Sequence, residues 1–378
     1  MKRTLVLSAG LLAASTLGAG WTIARRLTAP AAPRSFDLTI HDIEHDGGTG
    51  RIVLDRTDQT AADGIYNLWL ERGGWAQLGA EVRDRSSRRI ARTITATSPG
   101  LELTAGDRAS WSGIYYATPA DAGIDARDIT ITTPAGACPA WRIDGDPATW
   151  TIHIHGLGST RAGTLRGVQV ATDLGYSSLV VTYRNTLEGP RVGTGRTTLG
   201  HTETIDVDEA IGYAVRRGAE RMILFAWSMG AAVALQLAAR PRHEGLIAAL
   251  VLDSPVLDWT ETIKANVART RLPASAGHLA VPWLCVGSLV WILGLPEPVP
   301  LSQYDWIARA DDLATPTLVL HGTRDSSAPI RLSQALEDRR PDLVTLESFD
   351  ADHTLAWNSD PDRWRAAVRN WLASRQAS

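Results

Sequence analysis

Hydrophobic and polar positions along this chain fall into three successive patterns. The first stretch has almost no polar positions: residues from Leu5 to Ala24 are apolar, preceded by Lys2 and Arg3 and followed by Arg25 and Arg26. About 20 such residues are enough to cross a bilayer as a helix. The charged start also fits a secretory signal, and Gly18-Ala19-Gly20 offers a weak cleavage site. The run ends directly on two Arg, so residues 1–33 are expected to be a signal-anchor or a signal peptide, with the remainder outside the cytoplasm, membrane-anchored or secreted. A chain beginning near Ser35 is then expected to be soluble and to keep its activity.

From Arg34 to Ala126 the period is two. Phe36, Leu38 and Ile40 alternate with Asp37, Thr39 and His41. Strand-like runs follow at Arg51–Asp55, Ile65–Leu70, Ala76–Val82, Arg89–Ala96 and Ser112–Ala117, separated by Gly- and Asp-rich turns. This predicts a small all-β accessory domain. Its Trp69, Trp75 and Trp111 read as core.

From Arg127 short apolar strands alternate with amphipathic helices. A leading hairpin at Asp128–Thr132 and Cys138–Ile143 precedes strands at Trp150–His155, Ser178–Tyr183, Met222–Phe225, Leu246–Leu252, Pro316–His321 and Leu343–Phe349. Helices are expected at Arg161–Leu174, Thr204–Arg217, Ala231–Ala239, Ile330–Glu337 and Pro361–Ser374. Strand and helix in alternation predict an α/β fold with a mostly parallel sheet covered on both faces. In such sheets chemistry gathers at the carboxyl ends of the strands. An insertion from Trp259 to Asp312 holds the apolar run Leu279–Leu295, expected to be a small helical lid over the site.

Composition narrows the picture. The 378 residues are 44% hydrophobic and 21% charged, material for about two domains with an ample core. A formal net charge of −3 gives no case for nucleic acid. The two Cys, Cys138 and Cys285, are too few for a disulfide scaffold or a Cys-based zinc site.

The candidate chemistry sits at four strand ends. Met222–Phe225 turns through Ala226-Trp227-Ser228-Met229-Gly230 into a helix rich in Ala and Leu, the layout of a nucleophile elbow. The tight turn lifts the Ser228 hydroxyl clear of its backbone, and the helix N-terminus presents free N–H groups to an oxyanion. Ala226 stands where Gly is usual, a departure of one Cβ. His153-Ile154-His155-Gly156-Leu157-Gly158 ends an earlier strand; the amide of Leu157 can join that of Met229 as an oxyanion hole. His153 and His155 share a strand face, but no further ligand completes a metal site. Leu320-His321-Gly322-Thr323-Arg324-Asp325 supplies a carboxylate, with Asp253 as a rival one strand earlier. Ala351-Asp352-His353-Thr354 supplies an imidazole on the last loop, with Asp352 expected to face away from it. Gly189–Gly195 lacks the ending of a phosphate loop and reads as an active-site rim.

The order Ser228, Asp325, His353, with Val181-Thr182-Tyr183-Arg184-Asn185 and the motifs above, resembles the α/β-hydrolase superfamily over Asp128 to the C-terminus. The resemblance runs to its serine-hydrolase branch, near prolyl-oligopeptidase-like and acylhydrolase members. It implies Ser228 as nucleophile, His353 as general base and acid, Asp325 as its orienter, and Leu157 and Met229 as oxyanion donors. It implies no cofactor and no metal. The function expected is hydrolysis of a small-molecule ester or thioester with an apolar acyl group. The alternatives are a serine peptidase of prolyl-oligopeptidase-like type and a non-catalytic binding protein on the same fold. Membrane contact is expected through the N-terminal segment, and the oligomeric state is left open.

Overall fold

The computed structural model describes residues 16–46 and 49–375. It opens in a helix, α1, through residues 16–27. Seven strands follow: β1 (Leu38–Thr39), β2 (Asp42–Asp46), β3 (Thr49–Asp55), β4 (Tyr66–Leu70), β5 (Trp75–Ser86), β6 (Arg89–Thr97) and β7 (Arg108–Ser112). They form one antiparallel sheet in the order β1-β7-β4-β5-β6-β3-β2. Its inward positions, among them Ile52, Leu54, Leu68, Leu78 and Ile90, make a separate small core, as the period of two requires. The run Ser112–Ala117, expected as a strand, leaves the ladder after Ser112 and links the two halves of the chain. Trp69, Trp75 and Trp111 are only partly buried. Trp111 instead packs against Tyr66 at 4.6 Å and carries the Arg92 guanidinium on its face.

The second sheet is built from β8 (Arg127–Thr133), β9 (Gly136–Ile143), β10 (Asp146–Ile154), β11 (Tyr176–Val181), β12 (Arg221–Trp227), β13 (Ile247–Asp253), β14 (Thr317–Gly322) and β15 (Val344–Phe349). Its order is β15-β14-β13-β12-β10-β11-β9-β8. The pairings from β11 through β10, β12, β13 and β14 to β15 are parallel, while β9 runs antiparallel to β11 and to β8. The sheet is therefore mixed, a correction to the mostly parallel one expected. A tight connection joins β8 to β9, and such a turn can only return the chain antiparallel.

Helices α2 (Leu165–Asp173), α3 (Glu203–Val215), α4 (Met229–Ala238), α5 (Trp259–Arg269), α6 (Val281–Cys285), α7 (Gly287–Leu293), α8 (Ile330–Arg339), α9 (Ala356–Ser359) and α10 (Pro361–Ser374) complete the described chain. Helix α4 is apolar except for Gln236 and buried along nearly its whole length, as a helix sealed inside a core must be. The insertion runs from α5 to α7. The segment Ala274–Cys285 meets α7 at 97°, so Leu279–Leu295 is a bent pair. Within α7, Val290 and Leu293 face inward, while Trp291 and Ile292 are 76% and 64% exposed. Cys138 and Cys285 are both free.

Among the described residues no single helix is long and apolar enough to cross a membrane. Residues 5–15 of the expected anchor lie outside the described part. The described part does something the sequence did not announce. Ala24 and Thr28 are fully buried, and Trp21, Ile23 and Leu27 pack on the main core. At Gly20 the two backbones touch: a Cβ there would sit 2.1 Å from the carbonyl oxygen of Leu279. The buried Arg196 donates to Arg25 O at 2.9 Å, placing a cation at the negative end of α1. Nearby, Thr194 Oγ1 donates to Gly294 O at 2.6 Å, so the rim loop ties α1 to the end of α7. A chain starting near Ser35 would lose this cover.

Candidate active site

Strand β12 delivers its last residues to a turn that ordinary side chains avoid. Ser228 has φ 52° and ψ −115°, a strained conformation for a residue with a Cβ. The turn survives because its surroundings determine it. Ser228 N donates to Asp253 O at 3.0 Å. Gly230 passes so close to β10 that a Cβ would lie 2.4 Å from Ile154 O, and only glycine fits. Ala226, the departure from Gly, is fully buried between Ile154 and Leu252 of the neighbouring strands, where one methyl is accommodated.

The structure brings Ser228, His353 and Asp325 together. His353 Nε2 lies 2.9 Å from Ser228 Oγ, and His353 Nδ1 lies 2.8 Å from Asp325 Oδ2. Asp325 is an acceptor only, so Nδ1 carries the proton and Nε2 faces the serine hydroxyl as an acceptor. The Asp325 side chain is fully buried. Its Oδ1 accepts from the amides of Ser327 at 2.9 Å and Ala328 at 2.7 Å. Burial acts to raise its pKa, but hydrogen bonds from His321 and His353 and their charge outweigh it, holding the carboxyl well below the usual range.

The rival Asp253 is engaged elsewhere. Its Oδ2 accepts from Trp364 Nε1 at 3.0 Å, and burial pushes its pKa up. Asp352 turns away from the imidazole, as expected. Its Oδ1 accepts from the Ser326 amide at 2.8 Å and from the His353 amide at 2.7 Å, which braces the loop.

Met229 opens α4, where its amide has no intrahelical acceptor. Leu157 follows Gly156, whose Cα packs against Ser228: a Cβ there would lie 3.0 Å from Ser228 Cβ. Leu157 lines the same cavity as Ser228, and Met229 is its neighbour in the chain. Among the described residues no group of three or more His, Cys, Asp or Glu could hold a metal ion. His153 stacks on Phe225 at 4.9 Å, and burial lowers its pKa to about 3. His155 stacks on Tyr183 at 4.4 Å.

Four supporting residues escaped the sequence reading. His321 Nε2 lies 3.1 Å from Asp325 Oδ2 and 2.9 Å from Ala328 O, while Ser333 Oγ meets its Nδ1 at 2.8 Å. It stood inside a quoted motif without a role. Ser254 Oγ accepts the Thr354 amide at 2.9 Å. Arg166, nearly fully buried, donates to Thr354 O at 3.0 Å and to Asn358 Oδ1 at 2.7 Å. Asn358 in turn donates to Ile65 O and Gly113 O, so the accessory sheet is fastened to the loop that carries His353. Ser228 and His353 line a cavity of about 150 Å3 whose wall includes Ile114 of the linker.

Residues 39–112, the accessory sheet, match a family described only as a domain of unknown function, DUF8805. No curated protein matches the chain in sequence. In structure, the chain is similar to an esterase of Pyrococcus furiosus. One crystal form gives a TM-score of 0.53 at 21% identity, covering 68% of this chain and 96% of the esterase. A second gives 0.54 at 21% identity, covering 69% and 94%. A third gives 0.52 at 20% identity, covering 68% and 94%. At this identity the likeness establishes the fold alone: the second sheet and its helices share the α/β architecture of that esterase.

Proposed function

We propose that the protein is a serine hydrolase that cleaves a carboxylic ester or thioester through an acyl-enzyme. The observation that carries this reading is the hydrogen-bonded chain from Ser228 Oγ through the His353 ring to the buried Asp325. A serine hydroxyl is a poor nucleophile until a base takes its proton. His353 Nε2 takes that proton as Oγ attacks the acyl carbon, and Asp325 steadies the imidazolium. The amides of Leu157 and Met229 receive the oxyanion. Collapse expels the alcohol or thiol, which takes the proton from His353. Water then repeats the sequence on the acyl-serine and frees the acid. Every step is supplied by this chain and water, so the reaction calls for no cofactor or metal. The esterase likeness in fold supports ester substrates over peptides. The apolar residues ahead of the packed helix α1, from Leu5 on, would hold the enzyme at a membrane, with the catalytic part outside the cytoplasm.

The test is labelling of the full chain with a fluorophosphonate, followed by turnover of a panel of esters, thioesters and aminoacyl-peptide substrates. Labelling at Ser228 and ester turnover are expected. Ser228→Ala and His353→Ala should each lower turnover by several orders of magnitude. Retention of more than about a tenth of wild-type turnover by either variant would overturn the assignment, because a cooperating triad gives far larger losses. Preferred cleavage of aminoacyl peptides would instead make it a peptidase.

A further inference from the structure

An apolar cavity near the site is formed in part by the segment expected to be only an anchor. It measures about 620 Å3 and lies between α1, which contributes Ala19, Thr22, Ile23 and Leu27, and the insertion, which contributes Ile263, Val267, Leu272 and Ala276. Ligand sites commonly measure about 300–1,000 Å3 and are lined mainly by apolar side chains. None of the residues that form this cavity belongs to Leu279–Leu295, so the lid's wall over the site is α5 and the turn after it. The cavity lies beside the chemistry. Leu157, 40% exposed, borders it and also borders the cavity that holds Ser228 and His353. A third space, about 270 Å3, joins Leu157 and Met229 to Leu27 and the chain just after α1.

We infer that the α1–α5 cavity seats the acyl chain of a long-chain ester, with the carbonyl at Ser228 beside the Leu157 amide. This rests on the serine-hydrolase reading above. The N-terminal helix is then a wall of the substrate site as well as a tether. Gly20 supports this: its close approach to Leu279 holds α1 at a fixed spacing from the insertion, and Arg196 pins the other end. A helix that served only as a leash would need neither contact. Each buried methylene of the acyl chain should raise kcat/KM by about fourfold until the cavity is full.

Thr22 is exposed and reaches the cavity rim, and Leu272 is 53% exposed. Thr22→Trp fills the space and Leu272→Asp makes it polar, both at positions that tolerate change. In the full chain, each should lower the ratio of kcat/KM for decanoyl over acetyl ester at least tenfold. Trp291→Asp, on the outward face of α7, should leave that ratio within twofold of wild type. In a Ser228→Ala background, an anthroyloxy-labelled stearate should bind, and Thr22→Trp should weaken it at least tenfold. A wild-type ratio near one, or a ratio and stearate affinity unmoved by both cavity variants, would overturn the assignment. Stearate binding lost in Thr22→Trp, together with turnover indifferent to Ser228, would leave the cavity standing and refute the catalytic reading alone.

Discussion

Replacing Asp325 with Asn separates an orienting carboxylate from a merely buried one. The carboxylate accepts four hydrogen bonds. The Ser327 and Ala328 amides bind Oδ1, and the His353 and His321 rings bind Oδ2. An amide in its place must turn an NH2 toward one of these pairs. Facing the two backbone amides would leave two buried donors without an acceptor, at about 1–3 kcal/mol each. Facing the imidazoles costs less, because both rings can respond. His321 already has Ala328 O at 2.9 Å as a second acceptor. His353 can shift its proton so that Nδ1 accepts from the new NH2. The asparagine oxygen therefore stays on the backbone pair, and His353 carries its proton on Nε2, the atom facing Ser228. That tautomer cannot accept the serine's proton. The expected loss in kcat is about 10⁴-fold, or roughly 5.4 kcal/mol in the barrier. Asp253→Asn should cost less than about tenfold in kcat, because an asparagine oxygen can still accept from Trp364 Nε1. The measurement is kcat on a soluble acetyl ester, with thermal unfolding to show that both variants fold. A loss below about tenfold in Asp325→Asn, or a larger one in Asp253→Asn, would refute the tautomer argument.

Two further outcomes follow from the geometry. Gly230→Ala would force a Cβ to 2.4 Å from Ile154 O. It should lower both the melting temperature and ester turnover, whereas Ala226→Gly should retain activity; equal behaviour of the two would disprove the close-approach account. Burial lowers the His153 pKa to about 3, against about 6.5 in the unfolded chain. Between those values the unfolded state binds a proton that the folded state does not, so stability falls as pH falls, by about 1.4 kcal/mol per unit. His153→Phe should thus reduce the stability lost between pH 7 and pH 5 by about 2 kcal/mol in urea unfolding; an unchanged loss would exclude His153 as its source.

What was legible in the sequence is what local physics writes there. The strained turn at Ser228 needs a strand before it, a helix behind it and Gly230 beside a neighbouring strand, and all three lie within a few residues. The period of two in the accessory sheet and the strand–helix alternation beyond it reflect burial on one face or two. The order of Ser228, Asp325 and His353 at strand ends could be read because parallel sheets collect loops at one edge. Choosing Asp325 over Asp253 also agrees with the geometry, though the reason lies far away, in the indole of Trp364. Only the tertiary structure could decide that Arg166 holds Thr354 and Asn358, 188 and 192 residues away. Such contacts leave no periodic trace, and a buried arginine in a short helix reads as a surface charge. The N-terminal helix is the sharper case. An apolar run looks the same whether lipid or protein covers it, since both remove it from water. What identifies the cover here is Gly20 against the Leu279 carbonyl, a contact that exists only once the insertion has folded beside it.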